Sequence, residues 1–251
     1  VASDVYKRQV LVEPEAGGHH FVPYLLFLAQ RLQARGNPVT LMTTEGATRH
    51  PAMQRLDRDL KQPLVRLLMR APMEQGSGTL GLLRRQLDYW YAVRESARQV
   101  SDADAIFVLM SADAVDRILA VLGSPFGRRC FVALFIQAKF HWPALGIGPG
   151  GRSVRLSGLA FRRVLAHPYL IAAASIDATL LEAMRTDPVA ARLHFIPDPG
   201  EIRCTLDRQA ARAALALPAA AYLVLVYGVI DERKGVGDLL QAVAGMPAGL
   251  H

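Results

Sequence analysis

The amino-acid sequence predicts an α/β protein built on a doubly wound parallel sheet of the Rossmann-like kind. Short apolar runs alternate with amphipathic stretches throughout residues 10–197. The apolar runs lack a polar alternation, as expected for strands that helices cover on both faces. With 251 residues, of which 51% are hydrophobic, the chain is long enough to bury the core of such a fold.

The elements follow one another in a regular order. Strands are predicted at 10–14, 38–44, 64–70, 104–110, 130–136, 169–175 and 192–197. Helices are predicted at 20–36, 80–100, 111–122, 153–166 and 177–184, with a loop or short helix before the third strand. Gly36 stands where a helix C-terminal cap belongs, and Ser111 is a suitable N-cap. A loop rich in glycine and proline at 137–152 interrupts the alternation.

A second domain is predicted to begin at residue 198. Two prolines and a glycine within 197–200 form a stiff connector, followed by a helix at 207–216, a strand at 222–228 and a helix at 235–244. One strand and two helices cannot enclose a core, so this domain, 198–251, is expected to be cut short. Residues 1–9 match neither the strand pattern nor a targeting segment and are predicted to be a non-native leader.

Composition narrows the classes of protein and partner. The net charge of +7 favours a polyanionic partner, such as nucleic acid, anionic lipid or a phosphorylated small molecule, or indicates only a solvated basic surface. Cys130 and Cys204 have no CxxC spacing, which argues against a disulfide scaffold or zinc site and fits a cytoplasmic location. No apolar run approaches the roughly 18 residues of a spanning helix. Interleaved aromatic and basic residues are missing, so no nucleic-acid partner is expected.

Paired glycines mark the first turn of the fold. Gly17 and Gly18 lie between the first strand and its helix, where the backbone can approach a ligand and free N–H groups can bind an anion. Their spacing matches neither the GxGxxG fingerprint nor a phosphate loop. The alternative to a ligand site is that the two glycines only form a tight turn between strand and helix. His19 and His20 could donate hydrogen bonds or act as bases there, or be surface residues.

Ligands in open α/β sheets bind at the carboxyl ends of the strands. This rule selects three loops, at 14–20, 111–113 and 137–152. The last contains Gln137, Lys139 and His141. His141 is a candidate for contact with a ligand, with packing or capping as the alternative.

The stretch "GVIDERKG" at 228–235 is a second candidate site. Gly228 ends a strand, and Lys234 with the preceding Arg233 stands at the entrance of a helix. A helix N-terminus combined with an ammonium group suits a diphosphate, whereas a solvated lysine is the alternative.

Taken together, four passages resemble the retaining glycosyltransferases of family four, which have the two-domain GT-B fold. These are "AGGHHFVPYLLFLAQRLQARGNPVTLMTT", "YLIAAASIDATLLEAM", "LHFIPDPGEI" and "LVLVYGVIDERKGVGDLLQAV", in the family's order. The third is similar to the family's Ile-Pro-Asn passage between domains, with Asp198 in place of asparagine. The fourth resembles the first strand and helix of the donor-binding domain, with its Gly-x5-Lys-Gly pattern.

The resemblance implies transfer of a sugar from a nucleotide diphosphate sugar to an unidentified acceptor, with retention and with neither metal nor other cofactor. Lys234 would contact the donor diphosphate, and Gly17 and Gly18 would approach the diphosphate or the acceptor. Val229 departs from the arginine that many members carry, which leaves Arg233 as a substitute. The family's glutamate pair is expected beyond position 251, so the chain resembles a fragment that is inactive alone.

Two alternatives remain open from the sequence. One is a nucleotide-sugar epimerase or phosphorylase of the same architecture, because fold does not fix function. The other is a non-catalytic protein that binds a polyanion or membrane through basic residues. The candidate basic cluster is Arg152, Arg155, Arg162 and Arg163, which would also permit a glycosyltransferase to contact an anionic membrane peripherally.

Overall fold

The structure is a computed structural model that describes residues 7–14, 21–73, 78–148, 150–197, 206–219, 223–226 and 235–245. The chain divides into two compact units, residues 1–200 and 201–251. Within the described residues, no helix has the length and apolarity that a membrane-spanning segment needs.

The first unit contains a seven-stranded parallel sheet. Its strands are β1 (Gln9–Val12), β2 (Val39–Thr44), β3 (Val65–Met69), β4 (Ile106–Leu109), β5 (Phe131–Phe135), β6 (Leu170–Ser175) and β7 (Leu193–Phe195). The spatial order is β3-β2-β1-β4-β5-β6-β7, and every neighbouring pair is parallel. The winding reverses between β1 and β4, which is the arrangement of a doubly wound fold. The predicted fold class is therefore confirmed.

Helices connect these strands and cover both faces of the sheet. In this unit they are α1 (Phe21–Ala34), α2 (Glu45–Thr48), α3 (Pro51–Asp59), α4 (Gly78–Ala97), α5 (Asp116–Leu122), α6 (Arg152–Leu165) and α7 (Ala178–Met184). Pro51 occupies the first turn of α3, where its missing N–H costs no hydrogen bond, and the His50 side chain accepts a hydrogen bond from the Ala52 amide.

The core consists of two apolar layers separated by the sheet. Alternate residues of a strand point to opposite faces. Accordingly, Val10 and Val12 pack on the face that carries Trp90 of α4, whereas Leu11 packs on the face that carries Leu25 of α1. All of these strand side chains are fully buried, which explains why the strands lack a polar alternation.

One predicted helix and one predicted cap differ from the structure. The helix predicted at 111–122 is divided into a short 3-10 turn, Ala112–Ala114, and α5. Ser111 precedes the turn but makes no capping hydrogen bond; its hydroxyl instead lies 3.4 Å from the carboxylate of Glu13. A contact with the neighbouring strand therefore replaces the local cap.

The second unit has two described helices, α8 (Arg208–Ala214) and α9 (Val236–Ala244). Asp207 caps α8 by accepting a hydrogen bond from the Ala210 amide at 2.8 Å. Residues 223–226, predicted to lie within a strand, have no strand structure. A strand requires a hydrogen-bonded neighbour, and no described segment of this unit pairs with them.

Candidate functional site

Polar side chains gather at the carboxyl ends of the central strands of the sheet. Glu13 directly follows β1 and is almost fully buried, at 1% exposed. Ser111 follows β4, and its Oγ lies 3.4 Å from Oε2 of Glu13. Because β1 and β4 are neighbours at the point where the winding reverses, these residues mark the position where open α/β sheets bind ligands.

Asp113 joins two of the loops that the sequence selected. Its Oδ2 accepts hydrogen bonds from the backbone amides of Ile136 at 2.6 Å and Gln137 at 3.0 Å. Asp113 follows β4, whereas Ile136 and Gln137 follow β5. One carboxylate thus holds the β4 and β5 loops together at the carboxyl edge of the sheet.

Asp116, at the start of α5, forms a second polar contact beside Asp113. Its Oδ1 accepts a hydrogen bond from the side-chain amide of Gln86 at 3.0 Å, while Gln86 Oε1 accepts one from the Arg117 amide. The guanidinium of Arg117 in turn donates to Oγ of Ser157 at 3.1 Å. These contacts connect α4, α5 and α6.

The two carboxylates line a cavity of about 260 Å³ between these helices and the β5 loop. Its polar lining includes Gln86, Asp113, Asp116, Arg117, Ser153 and Ser157. Phe140 and Phe161 line it as well, with ring centroids 5.0 Å apart. Lys139 is the second cation of the lining. The cavity therefore offers hydrogen-bond donors, acceptors and an apolar wall within one small space.

Burial changes the ionisation of both carboxyl groups. It raises the pKa of Asp113 to about 6, although the amides of Gln137 and Ile136 act in the opposite direction. Burial also raises the pKa of Asp116, against the hydrogen bond from Gln86. Neighbouring Asp116 contributes to the rise at Asp113 because two like charges repel.

Replacing Asp113 with asparagine is expected to remove part of the pH dependence of stability. Since folding raises the pKa of Asp113, its ionisation destabilises the folded state as the pH rises from about 4 through about 6. Asparagine cannot ionise, so the stability of Asp113→Asn relative to the parent should increase by about 2 kcal/mol between pH 4 and pH 7. Urea unfolding of both proteins at several pH values measures this difference. A difference that does not change with pH would contradict the prediction.

The structure places His141, the candidate catalytic residue, inside the loop after β5 with only 2% of its side chain exposed. Its Nε2 lies 2.9 Å from Oγ1 of Thr179 and 3.1 Å from Oδ2 of Asp177. Nδ1 is buried without a hydrogen-bond partner among the described residues. In this arrangement His141 attaches the β5 loop to the start of α7, and its contact with a ligand stays a prediction.

Asp177 organises this attachment. Its Oδ1 caps α7 by accepting a hydrogen bond from the Thr179 amide at 2.9 Å, and its Oδ2 accepts one from Nε1 of Trp142 at 3.3 Å. Burial raises the pKa of Asp177, but the hydrogen bonds from Thr179 and Trp142 outweigh it, and the pKa is lowered overall. Asp177 therefore remains ionised beside His141 at neutral pH.

The other predicted site residues lie outside the described residues. They are Gly17, Gly18, His19, His20, Gly228, Arg233 and Lys234. Their roles stay predictions. Likewise, no group of three or more histidine, cysteine and acidic side chains that could hold a metal ion occurs within the described part of the chain.

Two solved structures resemble the chain over most of its length. Sucrose-phosphate synthase from Thermosynechococcus elongatus matches with a TM-score of 0.61 and 16% sequence identity, covering 96% of this chain and 60% of the enzyme. A glycosyltransferase from Rickettsia africae matches with a TM-score of 0.52 and 10% identity, covering 96% of this chain and 57% of the enzyme. The chain thus shares its fold with two glycosyltransferases and spans less than two thirds of either. No protein-family model and no curated protein matches it.

The rule on strand ends selected the loop at 111–113, but the sequence did not reveal the cavity that Asp113 and Asp116 line. The two aspartates stand three residues apart after an apolar strand, which was an available signal. Gln86, which donates to Asp116, and Ser157, which accepts from Arg117, come from distant helices. The cavity is therefore a tertiary feature that no single passage of the sequence contains.

Proposed function

We propose that the protein is part of an enzyme that transfers a sugar from a nucleotide diphosphate sugar to an acceptor. The order of the four family-like sequence passages carries the proposal. The chain that contains these passages shares its fold with two solved glycosyltransferases. The polar groups at the carboxyl edge of the sheet, around Glu13 and Asp113, stand where such a fold binds its ligands.

In this proposal the reaction proceeds with retention at the anomeric carbon and without a metal ion. Lys234 and the helix N-terminus that follows it would bind the donor diphosphate and offset the charge that develops on the leaving group. Gly17 and Gly18 would allow the backbone to approach the donor or acceptor. The spacing of the two cysteines supports a cytoplasmic location.

The test uses the polypeptide that the whole gene encodes, because the chain spans only part of the enzymes that it resembles. Release of nucleotide diphosphate is measured with a panel of nucleotide sugars, with and without candidate acceptors. We expect turnover with at least one donor, and product analysis should show retained anomeric configuration. Absence of binding to every nucleotide sugar would overturn the proposal. An epimerised sugar formed without acceptor would assign the protein to the epimerases instead.

We also propose that helix α6 contacts an anionic membrane surface. Leu156 and Leu159, three residues apart on one face, are 62% and 61% exposed. Arg152, Arg155 and Arg163 are exposed around them and form no ion pair with any described residue. The helix contains no acidic side chain.

The opposite side of α6 packs against the rest of the unit. Phe161, Val164 and Leu165 are buried there, and this packing directs the leucines and arginines outwards. Arg162 differs from the other arginines because it pairs with Asp187 at 2.6 Å. An apolar strip surrounded by unpaired cations is the arrangement that interfacial helices present to anionic lipids.

Replacing Arg155 and Arg163 with glutamine is expected to weaken binding to anionic vesicles about 30-fold, since each surface cation contributes about 1 kcal/mol. Replacing Leu156 and Leu159 with glutamine should weaken it as well, because apolar insertion is lost. Leu80→Gln is the matched control, since Leu80 is 83% exposed and belongs to α4 rather than α6. Flotation with vesicles of neutral and anionic composition measures the effect. Equal binding to both compositions would contradict membrane contact through this face.

A further inference from the structure

The cavity between α4, α5 and α6 has the chemistry of a binding site. Gln86 lines it although only 2% of that residue is exposed, and its amide is held in place by Asp116 and the Arg117 backbone. Gln86 and Asp116 are thus held in place by hydrogen bonds before any ligand arrives. Such preorganisation lowers the entropic cost of binding.

Both carboxylates keep hydrogen-bonding capacity. The two loop amides use Oδ2 of Asp113, and Gln86 with the Arg117 amide uses Oδ1 of Asp116. Apart from the backbone amide of each aspartate itself, no further donor to Oδ1 of Asp113 or Oδ2 of Asp116 is found among the described residues. An ionised carboxylate only accepts hydrogen bonds, so a ligand that fits here must donate them, as hydroxyl groups do.

The charges of the lining favour a ligand without net charge. Two carboxylates, Asp113 and Asp116, stand with two cations, Arg117 and Lys139. For an anionic ligand the attraction to the two bases is offset by repulsion from the two acids, and the reverse holds for a cationic ligand, so neither gains a net attraction. A neutral molecule with many hydroxyl groups can donate to the acids and accept from Arg117, Ser153 or Ser157.

The volume and the apolar wall of the cavity further restrict the kinds of ligand that fit. The cavity holds about 260 Å³. This lies just below the roughly 300–1,000 Å³ of pockets for drug-sized ligands, so there is space for a single sugar ring. Phe140 and Phe161 supply aromatic carbon against which the C–H face of a sugar can pack.

We propose that this cavity binds one neutral sugar residue of the acceptor through Asp113, Asp116, Arg117 and Ser157. Its place beside the β4 and β5 loops puts that sugar at the carboxyl edge of the sheet. The identification of this sugar as the acceptor rests on the proposed function. The binding itself does not, because it requires neither donor nor turnover.

The test measures binding of small probes to the 251-residue chain by saturation-transfer NMR and calorimetry. The probes are neutral methyl glycosides, including the glucoside, galactoside and mannoside, together with glucose 6-phosphate. We expect at least one neutral glycoside to bind more tightly than the phosphorylated sugar. Asp116→Asn and Ser157→Ala should each weaken it about five- to tenfold, the effect of losing one hydrogen bond.

Glu182→Gln is the matched control, because it removes one negative charge from an exposed side chain of α7 that does not line the cavity. Its affinity should equal that of the parent. Ser157→Ala changes only a hydroxyl group, so it tests the site even where Asp116→Asn impairs folding.

Three results would overturn the proposal: no binding of any neutral glycoside, affinities unchanged in both cavity variants, or preference for the phosphorylated sugar. The outcome is separable from that of the transferase assay. Nucleotide-sugar turnover without neutral-sugar binding would remove the cavity assignment and leave the proposed function standing. Sugar binding that depends on the cavity residues, without turnover, would keep the cavity assignment and remove the proposed function.

Discussion

Replacing Lys234 with alanine in the polypeptide encoded by the whole gene should reduce kcat/KM for sugar transfer by about 10²–10³-fold. In the proposed reaction, negative charge develops on the diphosphate as its bond to the sugar breaks. An ammonium group placed at that position stabilises the transition state more than the ground state, so its removal lowers kcat more than it raises KM. Lys234 precedes Gly235, the N-cap of α9, so in the proposed site the positive end of that helix would act together with the ammonium group.

The measurement is the initial rate of nucleotide diphosphate release with the preferred donor. Lys234→Arg should retain part of the activity because it keeps the charge. Lys61→Ala serves as the control, since Lys61 is an exposed lysine of the first unit and should leave the rate unchanged. A Lys234→Ala variant as active as the parent would remove Lys234 from the donor site and shift attention to Arg233.

The largest effect on stability is expected from Phe107→Ala. Phe107 lies in β4, is fully buried and stacks on Phe126 with ring centroids 4.4 Å apart. The guanidinium of Arg129 lies over the Phe107 ring, with its central carbon 4.6 Å from the ring centroid. Truncating a buried aromatic side chain leaves a cavity and typically costs about 3–5 kcal/mol. Because domains are stable by only about 5–15 kcal/mol, this loss is a large part of the total.

Urea unfolding followed by circular dichroism tests this expectation. Leu80→Ala is the comparison, because Leu80 is 83% exposed and its truncation should change stability by no more than about 0.5 kcal/mol. Losses of similar size in both variants would show that Phe107 does not anchor the core. Since Phe107 is part of the strand that precedes Ser111 and Asp113, the stability of β4 also determines the integrity of the carboxyl edge.

The sequence was sufficient to predict the sheet, because fully buried strands are visible as continuous apolar runs. Phe131–Phe135 is an example: it was predicted at 130–136, and the structure shortens it by one residue at each end. Prediction failed where a tertiary contact replaced a local one. Ser111 has the chemistry of an N-cap, yet its hydroxyl faces Glu13, which directly follows the neighbouring strand β1.

The site was only partly predictable for the same reason. The rule on strand ends selected the loop of Asp113, but the amides that bind Asp113 belong to the loop after β5. A histidine at position 141 could contact a ligand or pack inside the protein, and the sequence does not decide between the two. Its burial against Thr179 depends on how the β5 loop packs on α7, which only the structure shows. Pair contacts between distant segments cannot be obtained from one segment's composition.

The strand order has a consequence for how the protein is made. In the sheet, Gln9 pairs with Val39 on one side and with Ile106 on the other. During synthesis, β1, β2 and β3 leave the ribosome before β4 and can associate early. The edge of β1 that pairs with β4 in the folded sheet stays unpaired until β4 has been synthesised. Loop closure over long separations is slow, so this half-formed sheet exposes an unpaired central strand until β4 arrives. The nascent chain is therefore expected to depend on chaperone protection at this stage, before Ser111, Asp113 and the other site residues that follow β4 have emerged.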